Sequence, residues 1–175
     1  MRIIYKELAR KGDIIVVYNR KSWLHRLIVK VTDRGSRYKA GHVALYLGNT
    51  IIAEANSAGI HRKNWKDYTP GTHCVYLARF IGLTEEQYVK MYGFVMDSEN
   101  EPYSFFQLPM ILIKRIFRLK HVPDVSRKAM ICSEFVCNAF RFVGVDLASG
   151  KNAAEVTPID ILCAENFEVI EGCEE

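Results

Sequence analysis

The chain lacks several signatures that would define a class at once. It has no uncharged apolar run of about 18 residues, the minimum for a membrane-spanning helix. It has no CxxC pair, and its five cysteines, at 74, 132, 137, 163 and 173, are scattered and odd in number. That excludes a disulfide framework and a zinc knuckle. His61, His73 and Cys74 do not have zinc-ligand spacing, so no metal is expected. Met1-Arg2-Ile3-Ile4-Tyr5-Lys6-Glu7 carries too short an apolar run for a signal peptide, and no small-residue cleavage site follows. Neither end shows a lipidation motif. The expectation is a protein kept in the cytoplasm. No internal repeat or low-complexity tract occurs, and the basic residues are not interleaved with aromatics as on a nucleic-acid-binding sheet. Nucleic acid is therefore not an expected partner.

What is there is ordinary in bulk and uneven in charge. The 175 residues are 49% apolar and 25% charged, as in globular domains, and the length fits one domain over 1–175. The net charge of +4 divides unevenly. Residues 1–128 hold 22 basic and 11 acidic side chains, residues 129–175 hold 2 and 9, so +11 stands against −7. A basic N-terminal part favours an anionic substrate or surface.

Turn residues Lys11-Gly12-Asp13 lead into Ile14–Tyr18, a β-branched run that reads as a buried strand. Ser22 is placed to cap a short helix with Trp23, Leu27 and Val31 on one face. His42–Leu47 and Thr50–Ala55 read as strands around a turn at Gly48-Asn49, followed by strands at Gly59–Trp65 and Cys74–Phe80. Thr84-Glu85-Glu86-Gln87 has capping-box spacing and opens a helix to about Ser98. Ser104 opens another to about Lys120, bent or delayed by Pro109. A third helix runs from Cys132 to Val143 and stops at Gly144. Pro158 starts a short helix, and Phe167–Ile170 is a last strand. The pattern is α+β around an antiparallel sheet packed against helices.

Three residues could carry nucleophilic chemistry. Cys132 would open a helix, where the dipole and free backbone N–H groups stabilise a thiolate and can bind an oxyanion. His42 begins a strand and could act as base and then as acid. Glu54, twelve residues on, could orient the imidazole. Hairpin geometry puts a condition on that role. A two-residue turn at Gly48-Asn49 pairs Leu47 with Thr50 and sends His42 and Glu54 to opposite faces. The triad therefore requires an odd loop or a bulge. Asn56 shares the parity of Glu54 and is the alternative orienter. Tyr103, Ser133 and Asn56 are candidate substrate contacts, with plain packing the alternative for Tyr103. Cys137 and Cys163 read as core residues, Glu134 as a helix cap, and His25 and His121 as surface residues.

The order of these elements resembles a known family. Gly12-Asp13-Ile14, then His42–Asn49, then Glu54-Ala55, then Cys132-Ser133-Glu134 resembles the permuted papain-like amidases, the YiiX/YaeF-like branch of the NlpC-type cysteine peptidase superfamily. Glu101-Pro102-Tyr103 resembles the Pro-Tyr element before the Cys helix, with Ser104 where Asp is common. Val156-Thr157-Pro158 resembles the Thr-Pro segment after it. The resemblance implies a circularly permuted papain-like fold and a cysteine amidase or peptidase with Cys132 as nucleophile, His42 as base and Glu54 as third member. No cofactor is implied, and the substrate would be a small peptide or amide. Two alternatives accompany it. Thiol acyl transfer or lipid hydrolysis is motivated by Ile111–Lys120, an apolar segment with four cations that is either a core-packed helix or a membrane-surface one. A non-catalytic binding module on the same fold is the other.

Overall fold

The computed structural model describes residues 8–32, 35–65, 73–102, 130–148 and 150–170, with only the backbone at 73 and 74. Tyr103, the expected helix over 104–120 with its basic segment 111–120, and His121 lie outside these residues.

Each strand and helix forms where local chemistry favours it. In chain order they are β1 (Ile14–Asn19), α1 (Trp23–Thr32), β2 (His42–Gly48), β3 (Ile51–Asn56), β4 (Gly59–Asn64) and β5 (His73–Phe80). Next come α2 (Glu85–Asp97), α3 (Cys132–Phe142), a 3-10 turn at Ala153–Glu155, α4 (Pro158–Leu162) and β6 (Phe167–Ile170). The strands make one antiparallel sheet in the order β4-β3-β2-β1-β5-β6. The fold class is thus α+β, as expected.

β1 is central, and both its faces are buried. Ile14 and Val16 join the cluster that includes α3, while Ile15 and Val17 join a second cluster with Ala44, Tyr46, Ile52, Trp65 and Leu77. This explains an unbroken β-branched run with no polar alternation. α3 lies over β2 and β3, where Val43, Leu45, Ala53 and Ala55 meet Phe135, Val136, Ala139 and Phe140. Small alanines on β3 leave room for the helix.

The helix ends follow their sequence signals. Thr84 caps α2 through a reciprocal box with Gln87. α3 stops in a Schellman motif: Gly144 has φ +83°, its N–H donates to Arg141, and Val145 N–H donates to Phe140. α1 differs from expectation. Its buried residues are Ile28 and Thr32, and Trp23 is 68% exposed. Ser22 does accept from the His25 N–H at 3.3 Å, but Trp23 lies in the first turn, before the helix reaches the sheet.

The β2–β3 hairpin sets the site. Its loop is Asn49-Thr50, one residue later than expected, with φ of 50° and 64°, the left-handed pair of a type I′ turn. Gly48 opposes Ile51, yet Tyr46 opposes Ile52. Leu47 is therefore the extra residue of a bulge. That single insertion restores even parity, so His42 and Glu54 share a face.

Candidate active site

Glu54 lies in the middle of β3 and is 1% exposed. A buried carboxylate must be fully partnered to remain ionised, and this one is. Its Oε2 meets His42 Nε2 at 2.8 Å. Its Oε1 accepts from Asn56 Nδ2 at 2.7 Å and pairs with the Lys63 ammonium at 2.7 Å. His61 Nε2 stands 3.5 Å from the same oxygen. These partners converge through sheet register. Glu54 opposes His61 and Ile52 opposes Lys63, so the side chains of both β4 residues project on the Glu54 side.

A carboxylate only accepts, so His42 Nε2 carries a proton toward Glu54 and Nδ1 is the other hydrogen-bonding nitrogen. The imidazole also hydrogen-bonds the Cys132 thiol. Cys132 is the first residue of α3, on the other side of the sheet. The two meet because His42 is the first residue of β2 and stands at the strand's end. The α1 ring of His25 stacks on His42, with centroids 6.4 Å apart and planes at 25°. Gly41 permits this approach, since a Cβ there would lie 2.5 Å from His25 Cγ.

The electrostatics separate two cysteines of one helix. Burial pushes the Cys132 thiol up, but the adjacent His42 charge, its hydrogen bond and the backbone N–H groups of Val43 and Ser133 outweigh burial and hold it below the ordinary thiol value. Cys137, one turn and a half along, has burial without those partners and is pushed up to about 11. Burial also disfavours protonated His42. The Cys132 thiolate, and after it Glu54, overcome this and raise His42 to about 10. The two shifts are reciprocal, and both favour the form with a thiolate beside an imidazolium. The Val43 and Ser133 N–H groups point at the Cys132 sulfur.

The other sequence candidates have different places. Asn56 does not reach His42; it braces Glu54, and its Oδ1 accepts from Ala58 N–H. The Ser133 side chain is fully buried and donates to the Val156 carbonyl at 2.5 Å. Only the Ser133 backbone faces Cys132, so the hydroxyl is not a substrate contact. The buried Glu134 carboxylate accepts from Ile131 N–H at 3.4 Å, a capping role. Cys163, expected in the core, is exposed beyond α4, where the short helix has already ended. Glu101-Pro102 holds the start of β4 and the approach to α3 together: Ile60 N–H donates to Glu101, and Met130 N–H to Pro102. His25, expected on the surface, is instead half-buried and stacked on His42, and His61 and Lys63, given no place in the site from sequence, lie against Glu54. A two-residue turn at Ser57-Ala58 pairs Asn56 with Gly59, and that arithmetic would have put His61 and Lys63 on the Glu54 face.

No protein-family model matches the chain. A sequence relative is the probable lipoprotein peptidase YaeF of Escherichia coli (strain K12), 23% identical over 151 residues, which are 73% of this chain and 55% of YaeF. The chain thus spans about half of that relative's length. In fold, the chain is similar to the crystal structure of the metalloprotein YiiX from Escherichia coli O157:H7, with a TM-score of 0.65 and 15% identity over 92% of this chain and 96% of that one. The described residues of this site do not fit a metal. No group of three or more His, Cys, Asp or Glu side chains among the described residues is placed to hold one, and Glu54 Oε1 is taken by the Lys63 ammonium. A relative in sequence and a neighbour in fold therefore bear the two names of the YiiX/YaeF group, and the likeness of this chain to that group rests on both.

Proposed function

We propose that the chain is a cysteine-dependent amidase or peptidase on a circularly permuted, NlpC-type papain-like fold. The observation that carries this reading is the connected set of Cys132, His42 and Glu54, with His42 Nε2 2.8 Å from Glu54 and its ring hydrogen-bonded to the thiol. The name of the relative YaeF, a probable lipoprotein peptidase, supports a peptidase-type reaction.

In this mechanism the Cys132 thiolate attacks the substrate carbonyl carbon, and the carbonyl π pair moves to oxygen. The backbone N–H groups beside Cys132, those of Val43 and Ser133, are the donors this reading assigns to that charge. His42 gives its proton to the leaving nitrogen as the C–N bond breaks, which leaves a thioester on Cys132. A water then loses a proton to His42 and attacks the thioester, releasing the acid and the thiolate. Glu54 keeps Nε2 protonated throughout, so the other ring nitrogen is the one that exchanges protons.

Acyl transfer or lipid hydrolysis would use the same residues, but its motivating segment, 111–120, lies outside the described residues. The test is a panel of fluorogenic N-acyl-amino-acid and dipeptide amides. Hydrolysis is expected from the unaltered protein and none above background from Cys132→Ala. Full activity in Cys132→Ala would overturn the proposal.

A further inference from the structure

Glu54 divides its charge between two cations. Oε2 serves His42, and Oε1 serves Lys63 at 2.7 Å with Asn56 beside it. The Lys63 side chain is 24% exposed and comes from β4, an element separate from the Cys132 helix and the His42 strand. Cys132, His42, Glu54 and Lys63 then form a chain of alternating charge, negative, positive, negative, positive, with no net excess. Two features show that this chain is built. β4 is locked at its start, where Gly59 lies against the Glu101 carbonyl so closely that a Cβ would sit 2.7 Å from it. The register then delivers Lys63 opposite Ile52, next to Glu54 along the same face.

We propose that Lys63 is a positioning residue of the thiol–imidazole pair: by holding Oε1 of Glu54, it sets how strongly Glu54 retains the proton on His42. This inference rests on the cysteine-hydrolase reading. A hydrolase of this kind needs an imidazolium that forms readily but still releases its proton to a leaving amine. A buried Glu54 serving His42 alone would hold that proton too tightly. A cation on the far oxygen drains part of that attraction and also favours the thiolate. The charged or titratable groups facing His42 from the described elements are Cys132 of α3, Glu54 of β3 and His25 of α1, and His61 and Lys63 of β4 face Glu54 beyond it.

The consequence is directional. Lys63→Met removes a cation that favours deprotonation of both partners. Both steps should move to higher pH, by on the order of one pH unit for a charge at this remove. Lys63→Arg keeps the charge and should keep both steps near their original positions. Two measurements read them without a substrate. Iodoacetamide alkylation of Cys132 across pH 4–10, mapped by mass spectrometry, follows the thiol. NMR of the His42 ring nitrogens follows the imidazole. Upward movement of both in Lys63→Met, with restoration in Lys63→Arg, is the expected result. If the unaltered protein shows a normally titrating Cys132, the hydrolase reading itself fails. If Cys132 is activated in the unaltered protein and Lys63→Met leaves both steps in place, the Lys63 proposal alone fails. Circular dichroism of each variant separates loss of fold from either outcome.

Discussion

Replacing His42 by Gln should convert Cys132 from a reactive thiol into a core-like one. His42 supplies the main forces that hold the Cys132 thiol down; burial opposes them, and the weaker Val43 and Ser133 N–H groups would remain. Cys137 shows where burial leads on the same helix, to about 11. An unperturbed thiol is roughly 3% ionised at pH 7, so complete ionisation is worth about 30-fold in thiolate. A thiol resembling Cys137 would be ionised to only about one part in ten thousand. The lower intrinsic nucleophilicity of a low-pKa thiolate offsets part of this difference. The net expectation is that His42→Gln slows alkylation of Cys132 at pH 7 on the order of 10- to 100-fold, with the gap narrowing toward pH 10. The assay is pseudo-first-order iodoacetamide labelling with peptide mapping, with Cys137 and Cys163 as internal controls. A rate for Cys132 in His42→Gln within threefold of the unaltered protein at pH 7 would refute the reasoning.

The same pair makes a pH-dependent contribution to stability. His42, raised to about 10, contributes fully below its unfolded value near 6.5 and loses this as pH rises through about 10. Cys132, lowered, contributes fully above its unfolded value near 9 and loses this as pH falls through its folded one. Because each charge depends on the other, the melting-temperature difference between the unaltered protein and Cys132→Ala should be flat from about pH 6.5 to 9 and shrink on both sides; a difference that climbs steadily across that window contradicts the ion pair. Glu54→Ala leaves His42 and Lys63 facing an emptied, buried position and should cost about 2–4 kcal/mol in urea unfolding, and a loss below 1 kcal/mol would mean the network is not closed around Glu54. Gly59→Ala meets both a φ of +98° and a backbone carbonyl at 2.7 Å, whereas Gly82→Ala meets a φ of +102° in open space. Gly59→Ala should therefore destabilise by about 2–3 kcal/mol and Gly82→Ala by about 1 kcal/mol, and equal losses would show that the Glu101 contact is not rigid.

The amino-acid sequence by itself determined the strand and helix order, the caps and the identity of the three side chains, Cys132, His42 and Glu54, that meet in the candidate site. These depend on local properties: β-branched runs, a Thr-x-x-Gln box, a glycine after Val143, a cysteine at a helix start. It also set the condition that the β2–β3 hairpin must satisfy, because alternation of side chains along a strand is a local rule. Which device would satisfy it was a matter of tertiary structure. The left-handed Asn49-Thr50 turn and the bulge at Leu47 both depend on how β2 fits between β1 and β3. The same holds for Ser133, whose hydroxyl was open to a substrate until α3 was laid against the Val156 carbonyl, and for Cys163, which a five-residue helix leaves in solvent. Lys63 and His61 are the clearest case. Hairpin parity at Ser57-Ala58 puts both on the Glu54 face, but only the assembled sheet buries that carboxylate and so makes it depend on them. Burial is a property of the assembled sheet, so the charge balance around Glu54 was decided by the tertiary structure, while the chemistry of its members was already written in the chain.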